Sequence, residues 1–332
     1  LEYVEVGVAL SKVEPGTFQK SKLARIAIGP DNPWLQTDGM AIYSSDAATF
    51  VALACPCSSY SVAPTCTTLS RKAFSSFGEL AEVELPSCIK TIEPYAFSRT
   101  GVRTFDAPPA LEELGERAFF FCESLEAVTL NEGLRVIGPD AFSNTAIKEL
   151  RIPRTAREIG YPIAAKTGLV YSGAEATLTM EPGSDMLVLD DSGALYEKVA
   201  DGLRLLRLFA VEANRFTVAA GTREVVEGAF YGHTMLEEVT LPEGVRVVGA
   251  SAFKGCRALR CVIFPEGLQE LGAEALMDTA LESIHIPASL TKIGENALVT
   301  YNAHNGKRPP TLQEVTVGEG NARYEAKGGM LL

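Results

Sequence analysis

The sequence predicts a β-rich solenoid, a fold in which short and similar coils of chain stack on one another. Three observations favour this fold: a motif of about two dozen residues recurs along the chain, each copy contains a short alternation of apolar residues, and an Ala-Phe pair keeps a nearly constant spacing. A single coil of this length cannot enclose its own apolar side, whereas a stack of coils can.

The Ala-Phe pair sets the spacing of the repeat. In a first group of copies the ring positions, 23, 22 and 23 residues apart, are Phe74, Phe97, Phe119 and Phe142. In a second group the positions, 23, 23 and 22 residues apart, are Phe230, Phe253, Leu276 and Leu298. Ala164 takes the position once and Phe18 marks a further copy, so the motif occurs ten times. Each ring is expected to fill the space between successive coils, burying about 150–250 Å².

The remaining parts of the motif predict further elements. In the triplet L-x-x-V-x-L, as in Leu236, Val239 and Leu241, the final apolar residues alternate with the period of a β-strand. A proline often follows and ends the strand, because it has no N–H to donate. The Ile-Gly pair is expected to send one side chain inward and then to permit a tight turn. The Ala-Phe pair follows on a short turn or a single helical turn.

Composition restricts the class of protein. The chain has 332 residues, 46% hydrophobic and 22% charged, which are the proportions of a folded protein. The formal net charge of −12 argues against nucleic acid as a partner, since binding it requires clustered lysine and arginine. No segment approaches the roughly 20 apolar residues of a membrane-spanning helix, so membrane insertion is not expected.

The whole unit, L-x-x-I-G-x-x-A-F-x-x-C/T-x-L-x-x-V-x-L-P, resembles the BspA-type leucine-rich repeat of bacterial and some protist surface proteins. Its C/T position is cysteine at Cys122 and Cys256 and threonine at Thr100, Thr145 and Thr279. The resemblance implies a right-handed α/β solenoid, rich in β-structure, with a parallel sheet on one face, little helix and inserted β-hairpins. The predicted segments are an N-terminal repeat or cap at 1–30, a hairpin insertion at 31–68, repeats at 69–170, a second insertion at 171–221, repeats at 222–318, and a third insertion that begins at 319–332 and is cut by the chain end.

The family also implies a function. It indicates a non-enzymatic, extracellular or surface-anchored interaction module, without a cofactor and monomeric, that contacts a protein or glycan on a host or neighbouring cell. The alternative is a structural spacer that presents another domain. Function in repeat scaffolds depends on surface positions and not on the fold, so the resemblance does not identify the ligand.

The candidate binding surface is the outward side of the L-x-x-V-x-L strands, which we call the strand face. Residues on either side of the middle apolar residue point outward, because side chains alternate along a strand. The surface lacks the row of Tyr and Trp that is typical of strong contact surfaces, and simple solvation of one sheet face is the alternative explanation. The candidate contact residues are Glu82, Glu84, Thr104, Asp106, Thr129, Glu149, Arg151, Glu238, Thr240, Ser283, His285, Glu314 and Thr316.

Two features of the first insertion allow alternative interpretations. The cysteines Cys55, Cys57 and Cys66 are either free buried thiols, or Cys66 forms a disulfide with one of the other two. Trp34 either packs the hairpin onto the solenoid or forms an exposed binding anchor.

No catalytic motif is complete. Asp190–Gly193 superficially matches the Asp-Ser-Gly signature of aspartic proteases, but Thr37–Met40 stands at the equivalent place in the first insertion and breaks it. A hairpin turn explains the residues better, and a hydrolase site in an insertion, tested at Asp191, is a remote alternative. No histidine has a metal-binding spacing, and solvated side chains are expected for His233, His285 and His304.

Overall fold

The computed structural model describes residues 2–160, 177–180, 183–209, 213–300, 311–327 and 330–331. The chain divides into two compact units, Leu1–Asp185 (unit 1) and Met186–Leu332 (unit 2). Each unit is built from stacked coils of parallel strands, which confirms the predicted β-rich solenoid. The described residues contain no helix, and each Ala-Phe pair lies on a hydrogen-bonded turn.

Unit 1 takes two short strands from each complete repeat, one from the V-x-L triplet and one just before the Ile-Gly glycine. Its described strands are β1 (Tyr3–Val6), β2 (Arg25–Ile28), β3 (Leu35–Thr37), β4 (Ala41–Ser44), β5 (Thr49–Leu53), β6 (Ser59–Ser61), β7 (Thr68–Leu69), β8 (Glu82–Glu84), β9 (Thr91–Ile92), β10 (Thr104–Asp106), β11 (Glu113–Leu114), β12 (Ala127–Thr129), β13 (Val136–Ile137), β14 (Glu149–Ile152), β15 (Glu158–Ile159) and β16 (Thr177–Met180).

The strands before the glycine form a second ladder that the sequence did not predict. They make one sheet in the order β15-β13-β11-β9-β7-β5-β4-β3, in which β3, β4 and β5 are the antiparallel hairpin strands of the first insertion. From β5 to β15 the neighbours are parallel, and the paired segments of the repeats are only two residues long. The first insertion therefore extends the sheet of the repeats.

The length of each coil decides which V-x-L strands pair. Steps of 23 residues join β6 to β8 and β10 to β12 as hydrogen-bonded parallel pairs. Steps of 22 residues separate β8 from β10 and β12 from β14, and these strands belong to different sheets. The shorter coils lack one residue between the Ala-Phe turn and the strand, and they are the coils that carry Thr100 and Thr145.

Unit 2 follows the same plan. Its described strands are β17 (Leu187–Leu189), β18 (Ala194–Val199), β19 (Gly202–Leu208), β20 (Arg215–Thr217), β21 (Thr222–Val225), β22 (Glu238–Thr240), β23 (Val247–Val248), β24 (Cys261–Ile263), β25 (Glu270–Leu271), β26 (Ser283–Ile286), β27 (Lys292–Ile293), β28 (Glu314–Val317), β29 (Ala326–Lys327) and β30 (Met330–Leu331). The hairpin β17-β18-β19 leads into the parallel series β21-β23-β25-β27, and β29 pairs antiparallel with β30. Strands β20, β22 and β24 pair, whereas β26, which follows the 22-residue step at Thr279, pairs instead with β28.

A column of stacked phenylalanine rings forms the core of unit 1. Consecutive ring centroids lie 4.4, 5.0, 4.9 and 5.6 Å apart, and the column runs through Phe50, Phe74, Phe97, Phe119 and Phe142. All five rings are buried, as are Phe230 and Phe253 in unit 2, whose centroids lie 4.8 Å apart. These separations are close to the spacing of neighbouring strands, so one ring per coil fills the interior. Phe18, in the first coil, is only half-buried.

The glycine of the Ile-Gly pair is required by close packing and not by a turn. A Cβ atom on Gly138 would lie 2.3 Å from the backbone nitrogen of Glu116 in the preceding coil. The equivalent Gly272 would place its Cβ atom 2.3 Å from the backbone nitrogen of Ala250, and neither glycine has a positive φ. The tight turn expected from the sequence is therefore not the reason for the glycine. It is needed because the backbones of neighbouring coils approach too closely at this point for any side chain.

Replacing Gly138 by alanine tests this steric explanation. Gly138→Ala is expected to lower the free energy of unfolding by about 1–3 kcal/mol, because the methyl group overlaps the backbone of the neighbouring coil. Gly78→Ala is the matched control, since a Cβ atom there meets nothing within 4 Å, and it is expected to leave stability unchanged or slightly raised. Urea denaturation measures both variants, and equal stabilities would contradict the explanation.

Candidate interaction surface

In unit 1 the strand face is formed by β8, β10, β12 and β14. The apolar residue at the V position of each V-x-L segment points toward the core, and the residues on either side of it point outward. All the candidate residues of this unit are exposed there, namely Glu82, Glu84, Thr104, Asp106, Thr129, Glu149 and Arg151.

The strand face of unit 1 carries two grooves. One of about 510 Å³ lies between β8 and β10, and one of about 600 Å³ lies between β12 and β14. Both grooves fall at the 22-residue coils, where neighbouring strands are not in one sheet and their separation leaves space. The first brings together Glu82, Glu84, Thr104 and Asp106, and the second lies along Thr129, Glu149 and Arg151.

The first groove has charge of one sign only. Its wall carries the carboxylates of Glu82, Glu84 and Asp106 and no lysine or arginine, while Leu85 and Pro109 contribute apolar surface. Outside it, Ser61 Oγ donates a hydrogen bond of 3.0 Å to Glu84 Oε2. The groove therefore favours a cation whose stem is apolar.

The second groove has mixed charge. Its wall includes Glu126, Glu132 and Glu149 but also Lys148 and Arg151. Part of this charge is already paired, because Arg154 Nε lies 3.3 Å from Glu132 Oε2. The second groove is consequently less selective for the charge of a partner than the first.

In unit 2 the candidate residues are partly engaged with one another. Glu238 and Thr240 are only half-buried, and Arg215 Nε lies 3.6 Å from Glu238 Oε2. His285 is exposed, and its Nδ1 lies 2.9 Å from Thr316 Oγ1. The other exposed candidates of this unit are Ser283, Glu314 and Thr316.

His233 is buried, so the expectation of a solvated side chain was wrong for this residue. It is 2% exposed, and its Nε2 lies 2.8 Å from the carbonyl oxygen of Leu208, while Nδ1 has no partner among the described residues. His233 stands three residues after the ring position, where Cys256 stands in the next coil and also points inward. Burial, together with the nearby Arg207 guanidinium, lowers the pKa of His233 to about 4. His304 lies outside the described residues.

Trp34 is exposed over 49% of its surface, so the structure favours the exposed alternative and not packing against the solenoid. Besides Phe50 of the ring column, Tyr43 and Tyr60 are buried aromatic residues of the insertion, and their hydroxyl oxygens lie 2.7 Å apart. Tyr60 also donates its hydroxyl proton to Asp38. These bonds fix the hairpin from inside and leave Trp34 at its surface.

The aspartates of the insertions serve hairpin turns. Asp38 Oδ1 accepts hydrogen bonds of 2.8 Å from the backbone N–H groups of Met40 and Ala41. Asp190 Oδ1 accepts bonds of 3.0 Å from the N–H groups of Ser192 and Ala194, at the turn that joins β17 to β18. Asp190–Gly193 is therefore a hairpin turn, as the turn dipeptide Ser-Gly predicted.

The cysteines of the first insertion are free thiols, and the disulfide alternative is absent from this structure. Cys55 and Cys66 are buried and Cys57 is half-buried. Burial raises the pKa of all three thiols. The described residues contain no group of three or more His, Cys, Asp and Glu side chains placed to hold a metal ion.

Comparison with known proteins places this geometry in a family. The sequence profile of the BspA-type leucine-rich repeat region matches residues 47–167 and 223–318 in six copies, which is more than half of the chain. The chain belongs to the BspA-type leucine-rich repeat family. The resemblance stated from the repeat motif is thus confirmed. A comparison with curated proteins found no match.

Solved structures share the fold of this leucine-rich repeat chain. The pneumococcal vaccine antigen PcpA is similar with a TM-score of 0.65 and 19% identity, over 87% of this chain and 71% of its own. A leucine-rich cell surface protein of Faecalibacterium prausnitzii is similar with a TM-score of 0.60 and 21% identity, over 89% and 94%. In the part of the chain that the structure describes, no helix could span a membrane.

Sequence reasoning placed the outward residues on the strand face but missed the two grooves. The signal was available in the alternation of 22- and 23-residue steps and in the exchange of Thr for Cys. Burial of His233 was also predictable, because the residue aligns with Cys122 and Cys256 of other coils.

His233 is expected to make stability depend on pH. Its pKa is about 4 in the folded state and near 6.5 in an unfolded chain, so folding favours the neutral ring. The contribution is complete above pH 6.5 and is lost as the pH falls through 4, by on the order of 3 kcal/mol. Threonine occupies this position in other coils, and the substitution His233→Thr removes the pH-dependent contribution of the histidine.

Chemical denaturation of both proteins between about pH 7 and about pH 4 measures the effect. The wild-type protein should lose more stability on acidification than His233→Thr. Parallel pH dependence of the two proteins would show that His233 is not held neutral by the fold.

Proposed function

We propose that the protein is a non-enzymatic interaction module, displayed outside the cell, that binds a cationic protein segment through the first groove of its strand face. The observation that carries the proposal is the groove between β8 and β10, where Glu82, Glu84 and Asp106 converge beside apolar surface. Lysine and arginine combine a charged head with an apolar stem, and this groove offers a matching site to both parts.

The family and its neighbours support the setting. The similar structures include a vaccine antigen and a cell surface protein, and solenoids of this kind use their exposed strands as contact surfaces. The described residues offer no group of side chains placed to hold a metal ion, and the segment with Asp191 forms the hairpin turn that Asp190 stabilises. Adhesion by binding accounts for the polar strand face without requiring chemistry.

Titration with charged peptides tests this proposal. A fluorescein-labelled Lys-rich peptide is added to the wild-type protein and to the triple variant Glu82→Gln/Glu84→Gln/Asp106→Asn, and fluorescence anisotropy is recorded at low and at physiological ionic strength. The triple variant should bind about tenfold more weakly, because the groove loses three carboxylates. Added salt should weaken binding to the wild-type protein.

The matched control removes the same number of charges from the second ladder, which is formed by the strands before the Ile-Gly glycine. Glu113 and Glu158 are exposed on β11 and β15, and the exposed Glu112 directly precedes β11. The variant Glu112→Gln/Glu113→Gln/Glu158→Gln changes the net charge by the same amount. This control should bind the peptide as the wild-type protein does. An equal loss in both triple variants, or no binding by the wild-type protein, would refute the groove as the binding site.

A further inference from the structure

The Ala-Phe turns of unit 1 hold, in a left-handed backbone conformation, residues whose side chains are half-buried or exposed. In each of these turns the residues two before and two after the ring have φ between 54° and 70°, and they are Lys72, Ser76, Tyr95, Arg99, Arg117, Phe121, Asp140 and Asn144. In unit 2 several of the same positions are glycine, namely Gly228, Gly232 and Gly255. Glycine adopts this conformation without a steric penalty, whereas large residues do not. Unit 1 therefore keeps large side chains, such as those of Tyr95 and Arg117, at positions where the backbone conformation favours glycine.

Some of these side chains form a continuous cluster with their neighbours, which we call the turn face. Its members are Arg71, Lys72, Tyr95, Arg99, Arg117, Phe120 and Phe121. The guanidinium carbon of Arg71 lies 5.2 Å from the ring centroid of Tyr95, and that of Arg117 lies 5.7 Å from the same ring. Arg117 also donates a hydrogen bond of 2.7 Å from Nη1 to the Tyr95 hydroxyl. The planar guanidinium groups are thus fixed on the tyrosine.

The cluster continues to a second aromatic pair. Arg117 lies 5.3 Å from the ring centroid of Phe120, whose centroid is 4.6 Å from that of Phe121 in an edge-to-face arrangement. Arg99 in turn lies 4.6 Å from the centroid of Phe121. Arg71 and Arg99 are exposed at the two ends of this chain of contacts.

The turn face carries both cations and carboxylates, and the cations are in excess. Glu93 Oε2 accepts a hydrogen bond of 2.7 Å from the backbone N–H of Arg71, and Tyr95 donates its hydroxyl proton to Glu116 Oε1 at 3.3 Å. Arg117 is paired, with Nη2 3.1 Å from Asp140 Oδ2 and Nη1 3.2 Å from Glu116 Oε1. None of Arg71, Lys72 and Arg99 forms an ion pair with a described residue. In a chain of net charge −12, this face carries more cations than carboxylates, and the cations stand beside half-buried aromatic rings.

We propose that the turn face is a second interaction surface, which binds an acidic protein segment. A guanidinium stacked on a ring leaves its N–H edge free for a carboxylate, which it can bind with two parallel hydrogen bonds. Arginine and tyrosine are also the residues enriched at the centres of protein–protein contacts. The surface differs from the strand face in position and in sign of charge, so it goes beyond the function proposed above.

Anisotropy titration with a fluorescein-labelled Glu-rich peptide tests the proposal. Arg71→Ala/Arg99→Ala should weaken binding about tenfold, because it removes the two exposed guanidinium groups. Arg135→Ala/Arg157→Ala is the matched control. These two arginines are exposed directly before strands β13 and β15 of the second ladder, and their loss changes the net charge by the same amount. The control should retain wild-type affinity, and thermal unfolding followed by circular dichroism should show that both variants fold.

Two further measurements make the result specific. Arg71→Lys/Arg99→Lys keeps the charge but loses the planar fork, and it should also bind more weakly than the wild-type protein. The strand-face variant Glu82→Gln/Glu84→Gln/Asp106→Asn should bind the Glu-rich peptide with no loss of affinity, which separates this proposal from the preceding one.

Several outcomes would overturn the proposal. They are no binding of the Glu-rich peptide by the wild-type protein, equal loss in the two alanine variants, and wild-type affinity in the lysine variant. Tighter binding of polygalacturonate than of the peptide, lost in Arg71→Ala/Arg99→Ala, would assign the turn face to an acidic glycan instead. Concentration-dependent association of the wild-type protein in sedimentation velocity, lost in the same variant, would assign it to a second copy of the chain.

Discussion

The stacking of one phenylalanine ring per coil between two parallel ladders is the constraint on which the rest of unit 1 depends. The rings from Phe50 to Phe142 lie 4.4–5.6 Å apart, close to the distance that hydrogen bonding imposes on neighbouring strands. Because ring and strand share one spacing, each coil must present its ring, its inward apolar residues and its glycine in register. Gly138 shows how tight this register is, since even a methyl group would overlap the backbone of the preceding coil.

Sequence and coil length can vary only in the parts of a coil that do not contact the phenylalanine column. Both proposed surfaces lie in such parts. The connection from the Ala-Phe turn to the V-x-L strand can lose one residue without moving the ring, and the loss opens a groove beside Glu82 and Asp106. The turn itself can accept large residues at its left-handed positions, and unit 1 places Tyr95 and Arg117 there. The core thus fixes where variable side chains stand, while their chemistry is free to differ from coil to coil.

Much of the fold followed from the sequence, because a ring, an alternating triplet and a glycine recur at fixed distances. The second ladder did not, since paired segments such as Val136–Ile137 are too short to show a strand period. The grooves arise from a missing residue, whose effect depends on the neighbouring coil and not on local pattern. The positions of the strand-face residues were foreseeable from alternation. The 22-residue steps mark the coils beside Thr104 and Glu149, but only the packed coils show that the missing residue breaks the ladder and opens a groove there.

The most direct test of this account is hydrogen exchange of the β10 backbone amides after coil length is changed. A serine inserted between Thr100 and Gly101 gives the coil a 23-residue step, the length at which V-x-L strands pair elsewhere in the unit. The account predicts that β10 then joins β8 and that its amides exchange more slowly than in the wild-type protein. Unchanged exchange in a variant that retains its thermal stability would contradict the claim that coil length controls the pairing.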